Sequence, residues 1–375
     1  MKPPIYMDYN ATSPVLPQVR ERMGELDALP LNASSIHAMG RKAKQVLEDS
    51  RTTIANYISA WPDEVIFTAN GTEANNLALK GIEGRSLMMA ATEHSSIIEI
   101  AKAATGTMIL PVEENGLLNI GTLEKALQGC ESALVSVMLV NNETGLIQPI
   151  REIAALVHKY GGLMHTDAVQ AVGKLTFDFT TLGVDMLTIA AHKVGGPVGV
   201  GALIVKNDVK LNSQMLGGGQ EKRRRAGTEN IAAVAGFAAL IDNLPDLSNL
   251  MPLREKLETE IFAISPTSRL ISKGAGRVAN TISIITPSLS SELQLMHLDL
   301  AGICVSAGSA CSSGRIEASH VLQAMGYSKE ESSSAIRISM GWATTEVELD
   351  AFIAAWRKLV ENYSQPAVAL PKRLA

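Results

Sequence analysis

The chain has 375 residues, and its 33 Lys and Arg against 38 Asp and Glu leave a formal net charge of −5. Apolar residues make up 46% of it and Gly and Pro only 30 and 15 positions, so a packed core is expected and disorder or collagen-like repetition is excluded. The mildly acidic balance points away from nucleic acid, and the first ten residues (MKPPIYMDYN) lack the apolar stretch of a signal peptide.

No run approaches the roughly 20 apolar residues of a membrane span, so a cytoplasmic protein without membrane contact is the expectation. Cys130, Cys304 and Cys311 are odd in number and lack CxxC spacing, which argues against a disulfide framework or a Cys-based metal site.

Up to residue 205, apolar runs alternate with amphipathic segments. The pattern predicts strands over 64–68, 87–91, 108–110, 133–140, 162–165, 186–190 and 202–205, with helices over 42–58, 72–80, 95–103, 123–127 and 150–160. Such alternation builds βαβ units, and hence an α/β fold with a mostly parallel seven-stranded sheet. A Gly-rich basic stretch, 217–227, follows, with residues 221–225 (EKRRR) reading as a solvated or interface surface. Helices are then predicted over 230–244, 250–264, 290–298, 319–325 and 346–363, and strands over 280–285, 304–306 and 336–340. We read a large domain at 14–255 and a smaller α+β domain at 1–13 and 256–375, ending in a loose tail from residue 364.

Chemistry-bearing residues recur just past the predicted strand ends, where open α/β sheets bind ligands. Gly71 and Thr72, in Asn70-Gly71-Thr72-Glu73, open a helix whose N–H groups suit a phosphate; an ordinary capping box gives the same pattern. His94 follows strand 87–91 and can stack on a heteroaromatic ring or move protons near neutral pH. Asn142 follows strand 133–140. Asp167 and Gln170 follow strand 162–165, and the carboxylate either meets a ligand's ring nitrogen or caps the next helix. Lys193 is the only formally charged residue between Met186 and Val205. It is either an amine kept nucleophilic by apolar surroundings or a lysine snorkelling to water. Together these residues make a phosphate cradle, a ring partner, a pyridinium partner and an amine, the set that pyridoxal phosphate needs. Residues 306–314 hold only Ser, Ala, Gly and Cys, a composition that predicts a mobile loop able to swing the Cys311 thiol.

NGTEANN, ATEHSS, VNNETG, HTDAVQ, AHKVGGP, RAGTEN and SAGSACSSG, with YMDYNATSP near the start, resemble the NifS/IscS-type cysteine desulfurases. These are fold-type I pyridoxal phosphate enzymes of the class V aminotransferase group, and the resemblance runs from Tyr6 past Arg337 into the last helix. It implies that Lys193 bonds the cofactor aldehyde, Asp167 pairs with the ring nitrogen, and Gln170 and Asn142 address the ring hydroxyl. His94 would stack on the ring and assist proton transfers, while Gly71, Thr72 and His192 hold the phosphate. Thr228 would reach the phosphate of a neighbouring subunit, implying a homodimer with shared sites. Asn32 and Arg337 would bind the substrate carboxylate. Cys311 would take sulfur from L-cysteine as a persulfide, leaving L-alanine, and pass it to an iron–sulfur scaffold or another acceptor protein. No resident metal is implied; Cys311 would touch a nascent cluster only as cargo. A selenocysteine lyase or another small-amino-acid enzyme of the same fold is the alternative. One departure bears on the site: Ala190 stands where the family has a phosphate-binding Ser, with Thr188 the nearby hydroxyl to replace it.

Overall fold

The computed structural model describes residues 3–308 and 318–364. Strand β1 (Ile5–Tyr6) is followed by the seven strands of one sheet. These are β2 (Val65–Thr68), β3 (Ser86–Ala90), β4 (Met108–Leu110), β5 (Ala133–Ser136), β6 (Leu163–Asp167), β7 (Met186–Ala190) and β8 (Gly201–Val205). Across the sheet they lie in the order β2-β8-β7-β6-β5-β3-β4. Pairings from β4 through β7 are parallel, and β8 runs against both its neighbours.

Alternation along these strands sends side chains to two separate cores. Phe67, Met88, Val135 and Ile189 join one core with the helices Ala38–Ile58, Ile150–Lys159 and Ile231–Asp242. Ile66, Met89, Leu134 and Leu203 join the other with Gly71–Lys80 and Ser95–Ala103. Covering both faces explains why β2, β5, β7 and β8 are buried at every position and read as unbroken apolar runs.

The C-terminal part adds β9 (Arg269–Leu270), β10 (Thr281–Ile285), β11 (Ile303–Cys304), β12 (Ser306–Ala307) and β13 (Ala335–Ser339). An antiparallel sheet forms in the order β12-β13-β10-β9, while β1 pairs in parallel with β11. Met7 is therefore buried among Ile282, Ile338, Phe352 and Trp356, in the core capped by the helix Glu346–Ser364. Among the described residues no helix is long and apolar enough to cross a membrane.

Three sequence expectations need correction. The strand expected over 133–140 stops at Ser136, because the Met138 N–H turns to the buried carboxylate of Glu93 at 2.6 Å. A helix at Pro17–Asp27 was not anticipated, since only Val19 and Leu26 are buried along it. It docks on Ile231–Asp242 at Gly236, where an added Cβ would lie 2.8 Å from Met23 Cγ.

The basic run is a solvated surface only in part, for Lys222 and Arg223 are exposed while its other members are braced. Glu221 is buried and takes a bidentate contact from Arg51, at 2.7 and 2.9 Å. Lys222 pairs with Asp63, and Arg225 grips Glu73 at 2.7 and 3.1 Å. These ties hold Glu221, Lys222 and Arg223 at left-handed φ of 43°, 54° and 64°, a conformation that costs energy at each non-glycine residue.

The Arg51 and Glu221 side chains are 4% and 1% exposed, so losing one partner leaves a charge uncompensated inside the protein. Glu221 also accepts the Phe67 N–H on β2. Arg51→Met is expected to lower the unfolding free energy by about 3–5 kcal/mol, read as a lower urea midpoint.

Candidate active site

The carboxyl ends of the sheet strands deliver their following residues to one cavity of about 270 Å³. Gly71, Thr72, His94, Asn142, Asp167, Gln170, His192, Lys193 and Arg337 all line it. Asn32 does not: it is exposed, and its Oδ1 accepts the Ser34 N–H at 2.9 Å in a local turn. Thr228 is exposed and also absent from the wall. Cys311 lies outside the described residues.

At Asn70-Gly71-Thr72-Glu73 a capped helix start faces the cavity. Asn70 caps the helix by accepting the Glu73 N–H at 2.9 Å, and Glu73 returns to the Ala69 N–H at 2.7 Å. Those bonds leave Gly71 and Thr72, the first two helical residues, on the cavity wall. Glycine is needed there, for an added Cβ would strike Val169 Cγ2 at 2.8 Å. The Ala190 methyl lies beside the same spot. Thr188 does not supply the missing hydroxyl; its Oγ1 is 3.1 Å from His165 Nε2, inside the sheet.

Asp167 ends β6 and is held from both sides. Its Oδ1 accepts the Val169 N–H at 2.9 Å and its Oδ2 accepts Asn75 Nδ2 at 2.8 Å. His94 is the N-cap of Ser95–Ala103, and its Nδ1 contacts Ser96 N and Oγ. Burial holds this imidazole below its ordinary value; Asp167 opposes, and Lys193 and His320 reinforce. His192 is pushed down to about 4 by burial, with the Lys193 and Lys174 charges adding.

Lys193 is not in the purely apolar setting expected of it. Its Nζ donates to the carbonyl oxygens of Asn10 and Ala11, each at 2.8 Å. Gln170 Nε2 donates to the same Asn10 oxygen at 3.0 Å, while its Oε1 receives Lys174 Nζ at 2.5 Å. Burial, then the charges of Lys193 and Arg337, push Lys174 well below the usual lysine range. Arg337 donates from NH2 to Asp8 Oδ1 at 2.6 Å and from NH1 to the Asn142 carbonyl at 3.0 Å. Its Nε is buried with no partner among the described residues, as a site for an incoming carboxylate would be.

Glu143, next to Asn142, is also buried. Its Oε2 accepts Ser319 Oγ at 2.5 Å, and a Cβ on Gly308 would lie 2.7 Å from that oxygen. Burial pushes its carboxyl up to about 7, against the Ser319 hydrogen bond and the Arg337 charge.

Asn10, Asn75, Ser96 and Lys174 were not singled out from the sequence. Asn75 had a usable signal, lying four residues after Gly71 on the same helix face, and Ser96 lies two residues after His94. Asn10 and Lys174 reach the site only through tertiary packing.

The sequence profile of the family described as aminotransferase class-V matches residues 5–352. The chain is 37% identical to the cysteine desulfurase IscS of Dictyoglomus turgidum, over 96% of each protein. It superimposes on a NifS-like protein from Rickettsia africae with a TM-score of 0.89 at 35% identity, covering 96% of this chain and 99% of that one. A structure described as SspA in complex with cysteine matches with a TM-score of 0.81 at 28% identity, over 91% and 99% of the two chains.

Glu143 sets a sign for pH dependence. Its native carboxyl titrates near 7 rather than 4.5, so between those values the folded state keeps a proton that the unfolded state releases. Stability from this group is full below pH 4.5 and falls as pH rises through 7, by on the order of 3 kcal/mol. Glu143→Gln removes the decline, so its urea midpoint gains on wild type between pH 5 and pH 8; a constant difference would refute the assignment.

Proposed function

This chain belongs to the class-V aminotransferase family, and from that premise we propose that it is a pyridoxal phosphate-dependent cysteine desulfurase, turning L-cysteine into L-alanine with the sulfur carried on Cys311. The observation that carries the reading is a single cavity in which Lys193, Asp167, His94 and Gln170 meet a helix N-terminus and Arg337. The match to a protein solved with cysteine supports the substrate class.

The donor set fits the cofactor. Gly71 and Thr72, at the start of a ten-residue helix, would hold its phosphate together with His192. Asp167 would hold a protonated ring nitrogen, and the remaining Gln170 N–H and the Asn142 side chain would take the ring oxygen. The Lys193 amine would bond the aldehyde. When bound, the cofactor supplies an electron sink for the pair left at Cα as its proton departs.

The chain's own residues do the rest. Arg337, already fixed by Asp8 and the Asn142 carbonyl, orients the substrate carboxylate. Lys193 and His94 border the space where the Cα proton is taken and a proton returned. The Cys311 thiolate attacks the substrate sulfur: the S–S bond forms as the Cβ–S bond breaks, and the electron pair leaves with carbon. Protonation of that carbon gives alanine, so cysteine plus the Cys311 thiol becomes alanine plus a Cys311 persulfide. An iron–sulfur scaffold or another acceptor protein in the cytoplasm then receives the sulfur. In this reading the protein works as a homodimer, with exposed Thr228 serving the phosphate of the second copy.

Incubation with cysteine is expected to add one sulfur at Cys311, seen by intact and peptide mass spectrometry. Cys311→Ser should keep the cofactor's visible absorbance while alanine formation drops by roughly a hundredfold or more. His94→Gln should lower kcat by about 10²–10⁴. Undiminished turnover in Cys311→Ser would instead favour a selenocysteine lyase or another small-amino-acid enzyme.

A further inference from the structure

The hydrogen bonds around His94 form a chain with only one consistent polarity. The Ser96 N–H lies 3.1 Å from His94 Nδ1, and a main-chain N–H can only donate, so Nδ1 accepts and the neutral ring's proton resides on Nε2. Ser96 Oγ is 2.8 Å from the same nitrogen. That oxygen receives Asn75 Nδ2 at 2.9 Å, which directs its own hydroxyl proton to Nδ1. The second proton of Asn75 Nδ2 goes to Asp167 Oδ2 at 2.8 Å. Asn75 is only 1% exposed, and turning its amide over would set its oxygen against the Asp167 carboxylate.

We propose that Ser96 and Asn75 are positioning residues that hold His94 as the Nε2–H tautomer and tie it to Asp167. The inference rests on the desulfurase reading for the role of His94, but the geometry stands without it. A resting imidazole so held offers a donor at Nε2, and protonating Nδ1 requires the Ser96 N–H contact to open and the Ser96 hydroxyl proton to turn away. The depression of His94 by burial agrees with this. The titratable groups facing the ring are Asp167, Lys193 and His320; Asp167 favours the charged form, and the other two oppose it.

The test is side-chain ¹⁵N NMR on the full-length protein labelled at histidine, with and without pyridoxal phosphate, the His94 signals being assigned by their loss in His94→Gln. Wild type should give a protonated Nε2 and an unprotonated Nδ1. Ser96→Ala, which keeps the main-chain N–H but removes the hydroxyl donor, should raise the midpoint of the His94 titration and move the acid limb of kcat/KM to higher pH. Asn75→Leu should act in the same direction, and Ser96→Thr should restore the wild-type signals and profile. A proton on Nδ1 in wild type, or Ser96→Ala with an unchanged His94 titration, overturns the proposal. The resonances need no turnover, so a protein that forms no alanine would refute the desulfurase reading while leaving the tautomer result to be judged separately.

Discussion

The site depends on one buried side chain near the start of the chain. Asn10 Nδ2 donates to the Asn142 carbonyl and to Thr281 Oγ1, and its Oδ1 accepts Lys174 Nζ and Asn280 Nδ2. Its main-chain oxygen receives Lys193 and Gln170, and its N–H donates to Ser339 Oγ. The amide's two donors and two acceptor positions are filled, and each partner is itself a member of the site or of the second sheet. A network satisfied in this way specifies one arrangement, because any member displaced in the low-dielectric interior leaves others unpaired. The cavity's geometry is thus set where the N-terminal segment, the parallel sheet and the antiparallel sheet meet.

Burial governs the electrostatics around that point. His192, His94 and Lys174 are all shifted toward their neutral forms by desolvation, and Glu143 and Glu93 likewise. Arg337 is buried and its guanidinium is paired with Asp8. The arrangement weakens the repulsion that Glu143 and Glu93 would exert on an anionic ligand. It also gives Asp8 a share of the guanidinium that a substrate carboxylate must accommodate.

What could be read from the amino-acid order follows from which forces are local. The sheet was legible because strands covered on both faces must be continuously apolar, as Met186–Ala190 is. Lys193, Asp167 and His94 were legible as cavity residues because side chains that follow strand ends gather there, and the family motifs then suggested roles for them. The early end of β5 was not legible, since the group that captures Met138 lies 45 residues away in Glu93. Nor was the bracing of residues 221–225, because a run of arginines does not name the carboxylates it will meet. Asn10 and Lys174 belong to the same class: their importance arises from partners remote in sequence, and a single chain of letters carries no mark of that distance. Asn32 lies off the wall of this chain's cavity, which the motif resemblance alone could not foretell.

The contact between Asn10 and Ser339 spans 329 residues. On a ribosome extending a chain at roughly 5–20 residues per second, the first partner emerges on the order of 15–65 s before the second is made. During that interval the Asn10 side chain cannot complete its bonds, and the segment that presents its carbonyl to Lys193 has no strand β11 to pair with. The parallel sheet can therefore assemble first, but its catalytic mouth stays unfinished until translation is nearly over. Maturation of the pocket thus becomes a late, whole-chain event.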